Sequence, residues 1–173
     1  MSDRFAHRLK LDRIRDGERV ELIADEAERK VIATRLGLDS IDRLQAHATL
    51  SRKGARVEAD GRIVAALKQS CVVTGDPVPA HVDEPFSLLF VPEPETRRSE
   101  EEIELSTADC DVIFHDGSAI DLGAAIADTL ALSLDPYPRS AAAEAALKEA
   151  GVLTEAEVSP FATLAKLKRE GDT

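Results

Sequence analysis

Apolar and polar residues alternate in several stretches of the first ninety residues. Residues 44–50 alternate strictly between the two kinds, and residues 20–24 and 86–91 are shorter apolar runs. A period of two is typical of a strand with one buried face. The pattern therefore predicts strands over these three ranges, with Pro85 interrupting the irregular segment before the last one.

A turn signal lies at Asp60-Gly61, between residues 55–59 and 62–68. Asp-Gly is a preferred dipeptide of type I′ turns, in which both central residues need a positive φ. The sequence therefore predicts a hairpin with its tip at Asp60-Gly61. Short connections of this kind favour antiparallel pairing. A further strand is predicted over 111–114, ended by a turn.

Two helices carry signals at their ends. Asp25 and Glu28 form a capping box, in which each side chain accepts a hydrogen bond from a backbone N–H of the first turn. Gly37 can end that helix in a left-handed conformation. Asp121 caps the second helix, whose apolar residues recur at helical spacing through Leu134 before a proline stops it.

The second half of the chain contains one break and ends in helical patterns. An alanine-rich helix is predicted over 141–150, and a short amphipathic helix over 160–169. Residues 92–102 hold two prolines and a run of acids. Such a segment buries too little apolar surface to offset the ordering of its backbone, so we predict a mobile acidic loop there.

Together these elements predict an α+β fold, with a mostly antiparallel sheet or partly open β-barrel, packed helices and a C-terminal helical tail. The predicted domain organisation is a single α+β domain over 1–139 and a helical extension over 140–173. A chain of 173 residues is long enough to bury a sizeable core.

The net charge of −11 is distributed unevenly and changes this picture. Residues 1–69 hold 15 lysines and arginines against 12 acids, whereas residues 70–159 hold 4 against 19. Any contact with nucleic-acid phosphates should therefore lie in the first third or at the extreme C-terminus. An ordinary solvated face is the alternative interpretation. The basic clusters are Arg4, Arg8, Lys10, Arg13 and Arg15, followed by Arg52, Lys53 and Arg56.

Motifs for catalysis are missing from the sequence. It contains no glycine-rich phosphate loop and no GxSxG elbow, and its four histidines lie more than 30 residues apart. We therefore predict no catalytic residues and no enzyme, with a small hydrolase as a remote alternative. No apolar run approaches the roughly 20 residues that cross a bilayer, and the N-terminus lacks a signal-peptide core. A cytoplasmic location is expected.

One segment resembles a metal-binding knuckle that lacks one of its ligands. Position 74, three residues after Cys71, is where a CxxC knuckle would place its second thiolate, and it is threonine. Because a hydroxyl is a poor zinc ligand, we predict no metal and no cofactor, and a tight turn at Gly75-Asp76-Pro77 instead. Cys71 and Cys110 are too few for a disulfide framework and are expected to be buried thiols.

Three blocks of the chain, residues 67–78, 120–139 and 159–168, resemble the large ribosomal RNA subunit accumulation family, the YceD-like proteins. The resemblance implies a bacterial cytoplasmic protein that is needed for normal levels of 23S ribosomal RNA and has no attributed enzymatic activity. Many members carry two cysteines in the knuckle, and some add His or Cys after the proline-rich turn. This chain departs from that pattern at Thr74 and at residues 140–143.

The leading hypothesis is a non-catalytic factor that acts on precursor 23S ribosomal RNA or an early large-subunit particle. The alternative is an interaction module for a lipid-synthesis enzyme or ribosomal protein, with the C-terminal helix as the element that binds a protein partner. Neither membrane nor DNA binding is expected. The candidate residues for binding RNA or a partner are Arg4, Arg8, Lys10, Arg13, Arg52, Lys53, Arg139, Phe161, Leu164, Lys166, Lys168 and Arg169.

Overall fold

The computed structural model describes residues 7–93 and 111–152. Within these residues a 3₁₀ turn, Leu11–Arg13, accompanies seven strands and three helices. The strands are β1 Arg8–Lys10, β2 Glu18–Ile23, β3 Ser40–Lys53, β4 Arg56–Ser70, β5 Pro77–Pro92, β6 Asp111–His115 and β7 Ala119–Asp121. The helices are α1 Glu26–Leu36, α2 Leu122–Leu132 and α3 Ala143–Glu149.

Residue contacts divide the chain into two compact units. The first comprises Met1–Gln69 and Pro79–Pro136, and the second comprises Ser70–Val78 and Tyr137–Thr173. Most of the predicted acidic loop and the predicted helix over 160–169 lie outside the described residues. None of the helices in 7–93 and 111–152 is long and apolar enough to span a membrane.

The larger sheet has the strand order β2-β3-β4-β5-β6, and a second, two-stranded sheet pairs β1 with β7. The predicted α+β class is confirmed, and β2, β3 and β4 pair antiparallel as predicted. The prediction of antiparallel pairing is wrong for β6, which runs parallel to β5. Residues 93–110 are long enough for the crossover connection that parallel strands need. With β2 and β6 as its outer strands, the described sheet does not close into a barrel.

The predicted hairpin tip at Asp60-Gly61 is wrong. Both residues lie in the middle of β4, where Gly61 pairs with Ala48. The tip of the β3–β4 hairpin is Gly54-Ala55, and Gly54 has a φ of 65°. A Cβ atom at position 61 would lie 2.7 Å from Cζ of Phe86 and still closer to the carbonyl oxygen of His47. Glycine is therefore needed there for the close approach of the neighbouring backbone and of a ring, and not for a turn.

The predicted end signals of the helices are confirmed. The backbone N–H of Glu28 donates to Oδ1 of Asp25 over 2.8 Å, and the backbone N–H of Asp25 donates to Oε2 of Glu28 over 3.0 Å. Gly37 ends α1 with a φ of 65°. Asp121 caps α2 by accepting from the backbone N–H of Ala124 over 3.0 Å. Helix α2 ends two residues before the predicted Leu134.

The core of the first unit is one cluster of buried residues that the strands, α1 and α2 all contribute to. Alternate residues of the long strands point inward, as the period of two predicts, and the apolar stripe of α2 packs in the same cluster. Almost completely buried members of this cluster are Leu44, Leu50, Val57, Ile63, Leu88, Phe90, Leu122, Ile126 and Leu130. Strand β5 begins at Pro77, well before the predicted start at residue 86, because the exposed Pro85 does not interrupt it.

Candidate functional site

A groove of about 730 Å³ lies in the first unit, among segments that are far apart in the sequence. Its walls come from β1 and the 3₁₀ turn, from the tip of the β3–β4 hairpin, and from the turn between β6 and β7. Three of the predicted binding cations, Arg8, Lys10 and Arg52, line it. The fold therefore brings together members of two basic clusters that the sequence separates by about 40 residues.

Strand pairing explains how the first wall is positioned. Strand β1 pairs antiparallel with β7, so that Arg8 lies opposite Asp121 and Lys10 lies opposite Ala119. The backbone N–H of Leu11 then donates to the carbonyl oxygen of Ser118 over 3.1 Å. These bonds fix the backbone that carries Arg8 and Lys10 against the β6–β7 turn.

The three groove cations differ in what they contact. Arg8 forms an exposed ion pair with Asp116 at 3.2 Å. Arg52 donates to the carbonyl oxygen of Gly54 over 2.9 Å and also to that of Leu11, so its guanidinium joins two walls. Lys10 is exposed and makes no ion pair with a carboxylate of the described residues. Lys10 therefore has the most accessible charge of the three.

Asp116 sets the charge on one side of the groove. Its pKa is lowered to about 2, first because the hydroxyl of Ser118 donates to the carboxylate, then because the backbone N–H groups of Ser118 and Ala119 do so, with a smaller contribution from Arg8. The carboxylate is therefore ionised at neutral pH and offsets part of the charge of Arg8.

The other predicted residues do not line the groove. Arg13 and Lys53 are exposed in the first unit, and Lys53 pairs with Glu58 at 3.7 Å. Arg139 is exposed in the second unit. The remaining candidates lie outside the described residues: Arg4, Phe161, Leu164, Lys166, Lys168 and Arg169.

His115, which no sequence motif singled out, lies buried beside the groove. Its Nδ1 accepts from the backbone N–H of Gly117 over 3.0 Å, and its Nε2 lies 2.9 Å from the carbonyl oxygen of Ala55. Because an accepting Nδ1 carries no proton, the neutral ring holds its proton on Nε2, which donates to Ala55. One side chain thus joins two turns that lie 60 residues apart.

A second polar cluster surrounds Cys71 in the second unit. A tight turn does join β4 to β5, but it lies at residues 72–74 and not at the predicted Gly75-Asp76-Pro77, because Pro77 already belongs to β5. The backbone N–H of Gly75 donates to the carbonyl oxygen of Cys71 over 2.9 Å, and Gly75 has a φ of 76°. Cys71 is buried, and its Sγ accepts from the backbone N–H groups of Thr74 at 3.4 Å and Ser140 at 3.2 Å. The hydroxyls of Thr74 and Ser140 lie 3.1 Å apart, and that of Thr74 donates to Asp76 over 2.7 Å.

These contacts change the chemistry of the thiol but do not make a zinc site. The pKa of Cys71 is lowered to about 6, chiefly because Thr74 hydrogen-bonds the sulfur, with Ser140 adding to the effect. One thiol beside two hydroxyls is a poor donor set for zinc. No group of three His, Cys, Asp or Glu side chains within 7–93 and 111–152 is placed to hold a metal.

The lowered pKa of Cys71 predicts a pH dependence of stability. The thiol has a pKa of about 6 in the folded chain and near 9.0 when unfolded, so the unfolded chain binds more protons between these values. The stabilisation should be absent below pH 6, grow as pH rises from 6 to 9, and be complete above 9. Denaturant titrations under reducing conditions should show that Cys71→Ala removes this increase. Cys110→Ala is the control, and an unchanged profile in Cys71→Ala would contradict the assignment.

On this α+β fold, the charged residues that line the groove are three cations, Arg8, Lys10 and Arg52, and one carboxylate, Asp12. The comparison with protein families gives a match to the model of the large ribosomal RNA subunit accumulation protein YceD over residues 59–168, more than half of the chain. The chain therefore belongs to this family, which confirms the resemblance seen in the sequence. Neither the curated proteins nor the solved structures gave a match.

The family match covers only part of the residues described above. It begins at residue 59, so that it includes Cys71, His115 and the β6–β7 turn, whereas Arg8, Lys10 and Arg52 precede it. The family is named for the accumulation of ribosomal RNA and not for a reaction. A role in the accumulation of large-subunit ribosomal RNA follows from membership at this general level.

Proposed function

We propose that this protein is a non-catalytic cytoplasmic factor for the accumulation of 23S ribosomal RNA, and that it contacts precursor RNA directly through the groove. The observation that carries the proposal is the convergence of Arg8, Lys10 and Arg52 on one groove of a chain whose net charge is −11. Phosphates are the part of RNA that such cations bind, and these contacts need no catalytic group.

The charge distribution determines what kind of RNA contact is expected. Residues 70–159 hold 19 acids against 4 basic residues, and this excess repels RNA from much of the molecule. The favourable contacts are thus expected in the basic first third, which holds the groove cations, or at the extreme C-terminus. Binding through about three phosphates is weak and depends on salt, with log K falling by roughly 2 to 3 for each tenfold rise in salt concentration.

A filter-binding titration against precursor 23S ribosomal RNA tests this proposal. We expect the affinity to fall by roughly 20- to 40-fold between about 50 and 200 mM salt, because each bound phosphate releases condensed counterions. The absence of RNA affinity, together with co-sedimentation of the isolated chain with a basic ribosomal protein, would instead favour the interaction-module alternative. In that case the predicted amphipathic helix over 160–169 is the first segment to delete.

A further inference from the structure

Hydrogen bonds form a closed circuit around the groove. The carbonyl oxygen of Ala55 accepts from His115, whose ring accepts from Gly117 in the β6–β7 turn. From that turn, Ser118 accepts from the backbone N–H of Leu11, and the carbonyl oxygen of Leu11 accepts from Arg52. Arg52 lies two residues before Gly54, to which it also donates, and this bond returns the circuit to the hairpin tip.

His115 is the buried link of this circuit, whereas the hairpin tip is exposed. Gly54 and Ala55 are both exposed at the end of two long strands. The backbone of His115 is fixed independently of the hairpin tip. Its carbonyl oxygen accepts from the backbone N–H of Glu93 over 2.9 Å, and His115 lies opposite Pro92 of β5 in the sheet. A tip held to such a fixed point keeps its position relative to the other walls.

We propose that His115 is a positioning residue for phosphate binding in the groove, an inference that rests on the proposed function. Its Nε2–H holds the hairpin tip, and with it the guanidinium of Arg52, in register with Lys10 on β1. His115 is buried and does not itself face the ligand. The ligand class is the phosphodiester backbone of RNA, and the role of His115 is to fix the spacing of the cations that bind it.

Two substitutions separate the two hydrogen bonds of the ring. The Oδ1 of Asn in His115→Asn lies as far along the side chain as Nδ1, so it can accept from Gly117 but cannot reach Ala55. The amide nitrogen of Gln in His115→Gln lies as far along as Nε2, so it can donate to Ala55. Each variant loses one hydrogen bond, and their thermal stabilities should therefore be similar.

The readout is affinity for precursor 23S ribosomal RNA by filter binding, with thermal unfolding measured in parallel. We expect His115→Asn to lose about tenfold in affinity, the contribution of one phosphate-bound cation, because the tip that carries Arg52 loses its anchor, while His115→Gln stays close to the native chain. Equal affinities in two variants of equal stability would show a merely structural role and overturn the inference. If the native chain itself binds no RNA, the proposed function fails and the inference fails with it.

A measurement on the native chain does not depend on whether these variants fold. In ¹⁵N-labelled protein, long-range proton–nitrogen spectra should show the tautomer of His115 with its proton on Nε2. Addition of RNA should shift the signals of this ring. Phosphates bound by Arg52 and Lys10 change the hydrogen bonds around the groove, and the ring is part of that circuit. Another tautomer, or an unshifted ring in the presence of bound RNA, contradicts the role proposed for His115.

Discussion

Replacing both Arg8 and Lys10 by glutamine should weaken binding to precursor 23S ribosomal RNA by about a hundredfold at roughly 0.1 M salt. Each phosphate-bound cation contributes about tenfold at that concentration through the release of counterions. The slope of log K against log salt should fall by about 2 in the same variant. Filter binding over a series of salt concentrations measures both quantities.

The matched control makes the same change of charge away from the groove. Lys68 lies opposite Ser40, at the end of the β3–β4 hairpin remote from its tip, and Lys30 is exposed on α1. The Lys30→Gln, Lys68→Gln pair should leave the salt slope unchanged and reduce affinity by only a few-fold, through the net charge. An equal loss in both double variants would show that the net charge governs binding, and the groove would lose its assignment.

Gly61→Ala should destabilise the fold by about 3 kcal/mol, because the added methyl group meets the ring of Phe86 and the carbonyl oxygen of His47 inside a packed sheet. In a chain of this size such a loss lowers the melting temperature by roughly 10 °C. Thermal unfolding followed by circular dichroism measures the shift.

Gly37→Ala is the control, because it makes the same substitution at a position where the added methyl group clashes with nothing. A Cβ atom at Gly37 meets nothing within 4 Å, and its cost is the left-handed conformation alone, about 1 kcal/mol. Phe86→Leu in the Gly61→Ala background should recover part of the loss, because it removes the ring but not the carbonyl oxygen. If Gly61→Ala is no more damaging than Gly37→Ala, position 61 tolerates a side chain and the packing argument is wrong.

Local signals in the sequence predicted the helices well. The capping box of Asp25 and Glu28, the left-handed Gly37 and the N-cap Asp121 each act within four residues, so their physics is present in the sequence itself. The alternation in residues 44–50 predicted a strand for the same reason. Such features do not depend on how distant segments pack.

The wrong predictions came from sequence signals that have two physical interpretations. Asp60-Gly61 has the chemistry of a turn, but its glycine is required because the carbonyl oxygen of His47 and the ring of Phe86 occupy the space of a side chain. Gly54-Ala55 is the weaker dipeptide on propensity, and it forms the tip because the long register of β3 with β4 places it there. The parallel direction of β6 likewise depends on which strand it joins, and no local pattern specifies that.

The candidate site was predictable in its charges and not in its architecture. Clusters of basic residues identified Arg8, Lys10 and Arg52, but only the fold brings β1 beside the β3–β4 tip. His115 looked like an isolated histidine because its partner Ala55 lies 60 residues away. The hydrogen bond from Thr74 to Cys71 spans only three residues, and the sequence drew attention to Thr74. The bond from Ser140 to Cys71 joins residues 69 positions apart, so no local pattern predicted it.

The pairing of β1 with β7 has a consequence for when the site forms during synthesis. It joins positions more than 100 residues apart, as the Arg8–Asp116 ion pair also does across 108. Contacts of such high contact order close a long loop and form late in folding. A ribosome that has made only the first hundred residues therefore holds a chain whose β1 has no partner strand. The groove cations of a nascent chain reach their final spacing only after Asp121 has left the exit tunnel.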